Sequence, residues 1–210
     1  MIVGLGTGRT ASRGIRALAE RVQNESLNVM CVPTSHVTET LARALGLKLA
    51  DFAMLERVDY LFDGADEVDP QMHMLKGGGG AMVRERMVAR VADRRVYIID
   101  ESKLVDRLGQ RTTLSVAVLA FGLASVRARL RDLGLHGVVR RTMDGHLFLT
   151  DNGCLVIDVT LGECDIAERA ADLNDIAGVV DHGIFLDEAD EIIVETPKGL
   201  DRMTRSRPTR

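Results

Sequence analysis

Through the first half of the chain, short apolar runs alternate with segments whose apolar residues recur every three or four positions. The runs at residues 2–4, 29–32, 58–62 and 96–99 predict strands, and Ile15, Leu18, Ala19 and Val22 predict a helix between the first two. Val37, Leu41 and Leu45, closed by Gly46, predict a second helix, and residues 81–92 read as a third. Such alternation predicts a parallel sheet with helices on both faces. Each predicted strand runs straight into a polar loop: Thr7-Gly8-Arg9-Thr10, Pro33-Thr34-Ser35, Asp63-Gly64-Ala65-Asp66 and Asp100-Glu101-Ser102-Lys103. Ligands of parallel α/β sheets bind beyond the carboxyl ends of the strands, so these four loops mark the expected functional edge.

From about Thr113 the pattern changes. Residues 114–118 predict a strand, and Leu119, Leu123, Val126, Leu130 and Leu133 a long amphipathic helix stopped by Gly134. Strands follow at 138–142, 147–150 and 155–161, the first two joined by an Asp144-Gly145 hairpin turn. A helix from Asp165 and a strand at 179–186 complete the series, and residues 192–194 return to the first sheet. The expected fold class is therefore α/β: a Rossmann-like parallel-sheet domain with a smaller α+β, ferredoxin-like second domain. The expected boundaries are 1–112 plus 187–210 for the α/β domain and 113–186 for the small one. Residues 201–210 are polar and arginine-rich and read as a frayed tail, not a nucleic-acid arm.

Composition narrows the function classes. A hydrophobic content of 46% with 28% charged residues is that of a soluble globular protein. The formal net charge of -4 offers no basic surface for nucleic acid, and no apolar run reaches membrane-spanning length. The opening residues are too short an apolar run, and too uncharged, for a secretory signal. Cys31, Cys154 and Cys164 are odd in number and lack metal-ligand spacing, so reduced thiols and a cytoplasmic location are expected. The histidines, His36, His73 and His182 among them, show no metal spacing either, and neither metal nor cofactor is expected. Lysine occurs only at Lys48, Lys76, Lys103 and Lys198 among 27 basic residues. Where arginine is the default cation, a lysine marks a place for a compact ammonium.

The densest chemistry lies in residues 63–85, DGADEVDPQMHMLKGGGGAMVRE. Asp63 and Asp66 flank Gly64 and Ala65 at a strand's carboxyl end. Lys76 precedes Gly77, Gly78, Gly79 and Gly80, which bare the backbone before a helix, and Glu85 follows on that helix. Acid, base, ammonium and bare N–H donors together suit proton transfer next to a carbonyl, with the N–H groups holding developing negative charge. Thr7, Gly8 and Thr10 open a helix after a strand, where N–H groups and hydroxyls suit a phosphate.

Taken together, GTGRT, PTS, DGADEVD, KGGGGAMVRE, ESK ending at Lys103 and TDNG at 150–153 resemble ribose-5-phosphate isomerase type A, in that family's order and over nearly the whole chain. The resemblance implies metal-free interconversion of ribose 5-phosphate and ribulose 5-phosphate in the pentose phosphate pathway, with a small sugar phosphate as partner and a homodimer or higher assembly. It further implies Glu85 as the proton-shuttling base, Lys103 as a substrate-binding lysine, and Asp63, Asp66 and Lys76 as ring-opening and polar-stabilising groups. Thr7, Gly8, Arg9, Thr10, Gly64, Ala65, Gly77, Gly78 and Gly79 complete the expected substrate contacts. Two departures stand out. Family members carry a further N-terminal helix before the first strand, whose absence here is expected to expose apolar sheet surface. Their loop reads GTGST, so Arg9 occupies a serine position and is a candidate phosphate ligand through its planar fork.

Three other readings compete. Gly6-x-Gly8-x-x-Ala11 fits a loose dinucleotide fingerprint, but the acidic residue expected ~20 positions onward is replaced by Val32-Pro33-Thr34. A non-catalytic sugar-phosphate sensor on the same fold would not require every catalytic group to be present. A related sugar-phosphate enzyme, such as an amino-sugar deaminase, would share the architecture.

Overall fold

The computed structural model describes residues 1–205. Chain order begins β1 (Ile2–Leu5), α1 (Arg9–Asn24), β2 (Met30–Pro33), α2 (His36–Ala44), β3 (Val58–Asp63), β4 (Glu67–Val68), β5 (Met74–Leu75), α3 (Met82–Val91) and β6 (Ala92–Asp100). It continues β7 (Leu114–Val118), α4 (Leu123–Asp132), β8 (Gly137–Val139), β9 (Leu155–Val159), α5 (Ile166–Asn174), β10 (Val179–His182), β11 (Ile184–Phe185), β12 (Glu191–Thr196) and β13 (Gly199–Thr204). These elements form two compact units. The first contains Met1–Ala65, Arg84–Lys103 and the chain from Asp187 onward; the second contains Asp66–Val83 and Leu104–Leu186.

The first unit is a six-stranded sheet in the order β13-β12-β6-β3-β1-β2. β2, β1, β3, β6 and β12 run parallel, and β13 closes the edge antiparallel to β12. In chain order the parallel strands stand 2-1-3-4-5, a doubly wound arrangement whose switch point lies between β1 and β3. Consecutive residues of a strand face opposite sides, and β3 shows it directly. Phe62 joins the cluster of Leu5, Ile15 and Ala19 beside α1, while Leu61 joins that of Val58, Val88 and Ala89 beside α3. The stripe Ala11, Ile15 and Ala19 is the buried face of α1, as the spacing of apolar residues predicts. Full burial of a side chain such as Leu61 or Ile15 contributes roughly 1.5–3 kcal/mol.

Two stretches of this unit depart from the sequence pattern. The strand expected at 96–99 starts at Ala92, directly after α3, and so takes in Asp93, Arg94 and Arg95. Those charges are met across the sheet. Arg94 pairs with Glu191, Arg95 donates to both oxygens of Asp190 (3.1 and 2.9 Å), and Asp93 pairs with Arg57. Residues 201–204, expected in a frayed tail, belong instead to β13, where Arg202 reaches Glu191 at 3.1 Å. Residues 206–210 lie outside the described part of the chain.

The second unit holds a four-stranded antiparallel sheet, β10-β7-β9-β8, and a three-stranded one, β11-β5-β4. Leu114, Val116 and Val118 of β7 and Leu155, Ile157 and Val159 of β9 pack with Val126 and Leu130 of α4 and with Ala170 and Leu173 of α5. The alternate positions Ser115 and Asp158 face the other way, opposite each other in the β7–β9 register. The helix expected from Leu119 begins as a short 3-10 turn, Ala120–Gly122, before α4. The strands expected at 138–142 and 147–150 reduce to β8 and the isolated bridges Arg141↔Leu147 and Leu149↔Leu155. The run at 179–186 is divided at Gly183 between the two sheets, as β10 and β11. Residues 66–83 and 104–112, grouped by pattern with the first domain, lie in the second compact unit. There β5 pairs with β11, and Leu75, Val105 and Leu108 enter the core.

Candidate active site

The switch point of the first unit carries the Thr7 and Asp63 loops. Gly6 donates its N–H to the Phe62 carbonyl at 2.9 Å, and a Cβ at Gly6 would stand 2.1 Å from Asp63 Oδ1 and 2.5 Å from Asp63 Cα. Only a residue without a side chain lets the two loops approach this closely. Asp63, 1% exposed, accepts the N–H groups of Thr7 (3.0 Å) and Gly64 (2.7 Å) on Oδ1 and so ties the loops together. The Thr7 hydroxyl sits in a nest of hydroxyls, 2.8 Å from Thr34 Oγ1 and 2.9 Å from Ser35 Oγ. Thr34 and Thr38 donate to the Leu5 and Gly6 carbonyls, while Ser35 caps α2 through the Thr38 N–H. The N-terminus of α1 is different: its N-cap is Gly8, at φ +105°, and no side chain caps it. The first N–H groups of α1, with Arg9 exposed and Thr10 half-buried beside them, present the partial positive charge of a helix start at a strand's carboxyl end.

Glu85 stands in the first turn of α3 and is 5% exposed. A solvated helix surface is thereby excluded for it. Its neighbour Arg86 is buried too and pairs with Glu188 at 2.7 Å, the two side chains 9% and 10% exposed. That pair locks α3 to the loop before β12, because breaking a buried ion pair from one side leaves an uncompensated charge. A carboxylate on a helix held in this way has little positional freedom. Lys103 ends the 3-10 turn Glu101–Lys103 after β6 and is half-buried. Beside it, the Ser102 hydroxyl donates to Asp100 and, with the Lys103 charge, holds that carboxyl below the usual range.

The second unit carries Asp66, Lys76, Gly77, Gly78 and Gly79. Asp66 Oδ2 accepts the Gly78 N–H at 2.9 Å. Lys76 is 4% exposed, its ammonium 5.9 Å from the Phe185 ring centroid and its N–H donated to the Gly183 carbonyl. It is no surface lysine. Residues 77–80 form a tight turn, with Gly80 N–H on the Gly77 carbonyl at 2.9 Å. Both end glycines have positive φ, and a Cβ at Gly80 would lie 2.6 Å from the Phe148 ring. Glu67, next to Asp66 in the acidic run, accepts backbone N–H groups of Gly109, Arg111 and Thr112, each at 2.6 Å. Its charge organises a loop, and the acidity of the motif is in that measure structural.

Thus Thr7, Gly64 and Asp63 are joined by direct hydrogen bonds in one unit, and Asp66 and Gly78 in the other. Sequence reasoning passed over Thr38, Ser115, Arg140, Phe148 and Asp158, all of which support the site loops. Only Thr38 left a local signal, as the third residue of the helix that Ser35 caps. Among the described residues, no group of three or more His, Cys, Asp and Glu side chains is placed to hold a metal ion. No helix there is long and apolar enough to cross a membrane.

An open helix N-terminus at a sheet switch point, with the buried carboxylate of Asp63 tying its loops, is what an α/β enzyme acting on a small anionic substrate requires. The family model for ribose 5-phosphate isomerase A (phosphoriboisomerase A) matches residues 30–199. The chain belongs to that family. Ribose-5-phosphate isomerase A of Thermomicrobium roseum is 46% identical over 209 residues, which cover 99% of this chain and 88% of that one. The structure of ribose 5-phosphate isomerase A from Methanocaldococcus jannaschii superposes with a TM-score of 0.94 at 36% identity, covering 98% of this chain and 91% of that one. A D-ribose-5-phosphate isomerase in complex with phospho-erythronic acid gives a TM-score of 0.94 at 32% identity, covering 98% and 91%.

Proposed function

We propose that this chain interconverts D-ribose 5-phosphate and D-ribulose 5-phosphate through an enediolate, without a metal ion, and that Glu85 is the base. The carrying observation is Glu85 itself, a buried carboxylate on a rigid helix in the KGGGGAMVRE pattern of the family. In the open-chain aldose the base takes the proton from C2, and negative charge spreads onto the C1 oxygen. The protonated base then delivers a proton to C1, the C2 hydroxyl proton passes to the C1 oxygen, and C2 becomes the carbonyl. Such a step needs one carboxylate within reach of two adjacent carbons and donors that hold the enediolate oxygens. Lys76 and the N–H group of Gly79 are assigned to the second task, and Asp66, held by the Gly78 N–H, to proton movement in ring opening. Asp63 holds the Thr7 loop in shape. The phosphate is assigned to Thr7, Gly8, Arg9 and Thr10 at the start of α1, with Gly64 and Ala65 lining the substrate and Lys103 holding it. A phosphorylated sugar acid, as bound by the relative named above, combines a phosphate with a planar anionic end that resembles the enediolate. The protein is assigned to the cytoplasm and to a homodimer, with exposed Leu119, Phe121 and Val180 of the second unit as candidates for the interface.

A coupled assay with ribose 5-phosphate, run with and without chelator, tests this reading. Turnover unaffected by chelator is expected. Binding of ribose 5-phosphate without turnover would instead select the sensor. The two lysines separate binding from chemistry. Lys103→Ala should raise KM several-fold, whereas Lys76→Ala should lower kcat by about ten- to a hundredfold with a smaller change in KM, because it acts on charge present only in the transition state. Identical kinetic patterns in both variants would undo the assignment.

Arg9 gives a third expected result. A cation in the first turn of a helix opposes the helix dipole by about 0.3–1 kcal/mol, a cost that a bound phosphate would offset. Arg9→Ser should therefore weaken substrate binding, and Arg9→Lys should recover only part of it. Unchanged affinity would retire the role, and improved affinity would mean that Arg9 obstructs the site.

A further inference from the structure

We propose that Arg140 is a positioning residue: by gripping the carbonyls of Gly77 and Gly78 it fixes the direction in which the N–H groups of Gly78 and Gly79 point. All five guanidinium N–H groups are engaged. Nη1 donates to the Gly77 and Gly78 carbonyls at 3.1 and 3.0 Å. Nε and Nη2 take both oxygens of Asp158 at 2.8 and 2.5 Å, and Nη2 also donates to Ser115 Oγ at 2.7 Å. Ser115 in turn donates to Asp158 Oδ1 at 3.0 Å, and the guanidinium lies 5.4 Å from the Phe148 ring centroid. Planar fork, carboxylate, hydroxyl and ring leave Arg140 one geometry.

The consequence follows from peptide planarity. In a trans peptide the carbonyl and the N–H of the next residue point in opposite directions. With the Gly77 carbonyl on Arg140, the Gly78 N–H must point away from it, and it meets Asp66 Oδ2 at 2.9 Å. With the Gly78 carbonyl on the same nitrogen, the Gly79 N–H is turned to the side that the Gly78 N–H faces. Glycine has more backbone freedom than any other residue, so four in a row would sample many orientations without an outside hold. Arg140 supplies that hold from β7 and β9, through the two residues whose side chains face away from the hydrophobic core. The same bonds preset the Asp66 carboxylate, which shares in the Gly78 contact.

The catalytic side of this inference rests on the isomerase reading; the geometric side does not. Two readouts therefore separate them: amide hydrogen exchange at Gly78, followed by NMR, and steady-state kinetics with ribose 5-phosphate. In Arg140→Met, exchange at Gly78 should accelerate at least about tenfold while the amides of β7 and β9 stay protected. In the same variant kcat should fall about tenfold or more, with KM within about threefold of the parent, because the aimed donors act in the transition state. Guanidinium ion added to Arg140→Ala should restore part of kcat, which a merely structural loss would not allow. Should the Met variant fail to fold, Arg140→Lys keeps the charge beside Asp158 without the fork and should show the same acceleration. A folded Met or Lys variant with parental exchange at Gly78 overturns the proposal, whatever its activity. Accelerated exchange with parental kcat overturns its catalytic side. A parent without turnover sinks the isomerase reading alone, and the exchange result still decides the geometry.

Discussion

Glu85→Gln should cut turnover by about 10²- to 10⁴-fold, the usual worth of a positioned general base, while leaving the fold and substrate binding nearly as they are. Glutamine matches glutamate in size and can hydrogen-bond, but its amide does not take up a proton at neutral pH. Glu85 is 5% exposed, which leaves little access for water to substitute as base. If the carboxylate acts only in the chemical step, kcat and kcat/KM should fall together with KM almost unmoved. Thermal unfolding should change little, since the variant also removes the desolvation cost of a buried charge. In the parent enzyme, turnover in heavy water should place deuterium at the migrating position, unless the base is shielded from exchange. A Glu85→Gln protein with parental turnover removes Glu85 from the mechanism and leaves the family resemblance in need of another base.

Gly6→Ala should damage both stability and activity. The added Cβ would fall 2.5 Å from Asp63 Cα, and neither backbone can yield without breaking the β1–β3 register that pairs Leu5 with Phe62. Overpacking of this kind costs about 1–3 kcal/mol, which lowers Tm by roughly 2–12 °C for a chain of this size. Displacing Asp63 also loosens its bond to the Thr7 N–H, so KM for the phosphorylated substrate should rise. Gly8→Ala is the informative control. No atom stands within 4 Å of its added Cβ, and the penalty is limited to a φ of +105°. It should be the milder change at the same loop. Equal stability of Gly6→Ala and the parent would show that the two loops are not tied as described.

The candidate site was legible wherever its residues are contiguous. Asp63, Asp66, Lys76, the glycines and Glu85 fall within 23 residues, and each turn there has its own residue requirement. The burial of Lys76 and Glu85 was not legible, because local pattern gives a helix glutamate beside two arginines every reason to face water. Ion pairing decides otherwise: Arg86 is taken inward by Glu188, a partner 102 positions along the chain. Arg140, Ser115 and Asp158 left no motif at all, since their alliance exists only once β7 and β9 are in register.

Local pattern specifies the alternation of strands and helices in the first half, the return of residues 192–194 to the first sheet, the stop of α2 at Gly46, the start of α5 at Asp165, and the family. All of these rest on side-chain periodicity or on short turns, which near neighbours decide. Only long-range pairing decides that Asp93, Arg94 and Arg95 continue a strand, that residues 201–204 form the sheet's antiparallel edge on β12, and that the run at 179–186 divides at Gly183. In each of these places the local pattern is polar or ambiguous. The energy that settles it comes from ladder partners and counter-charges elsewhere in the chain, such as Asp190 and Glu191, whose positions are known only once the sheet has formed.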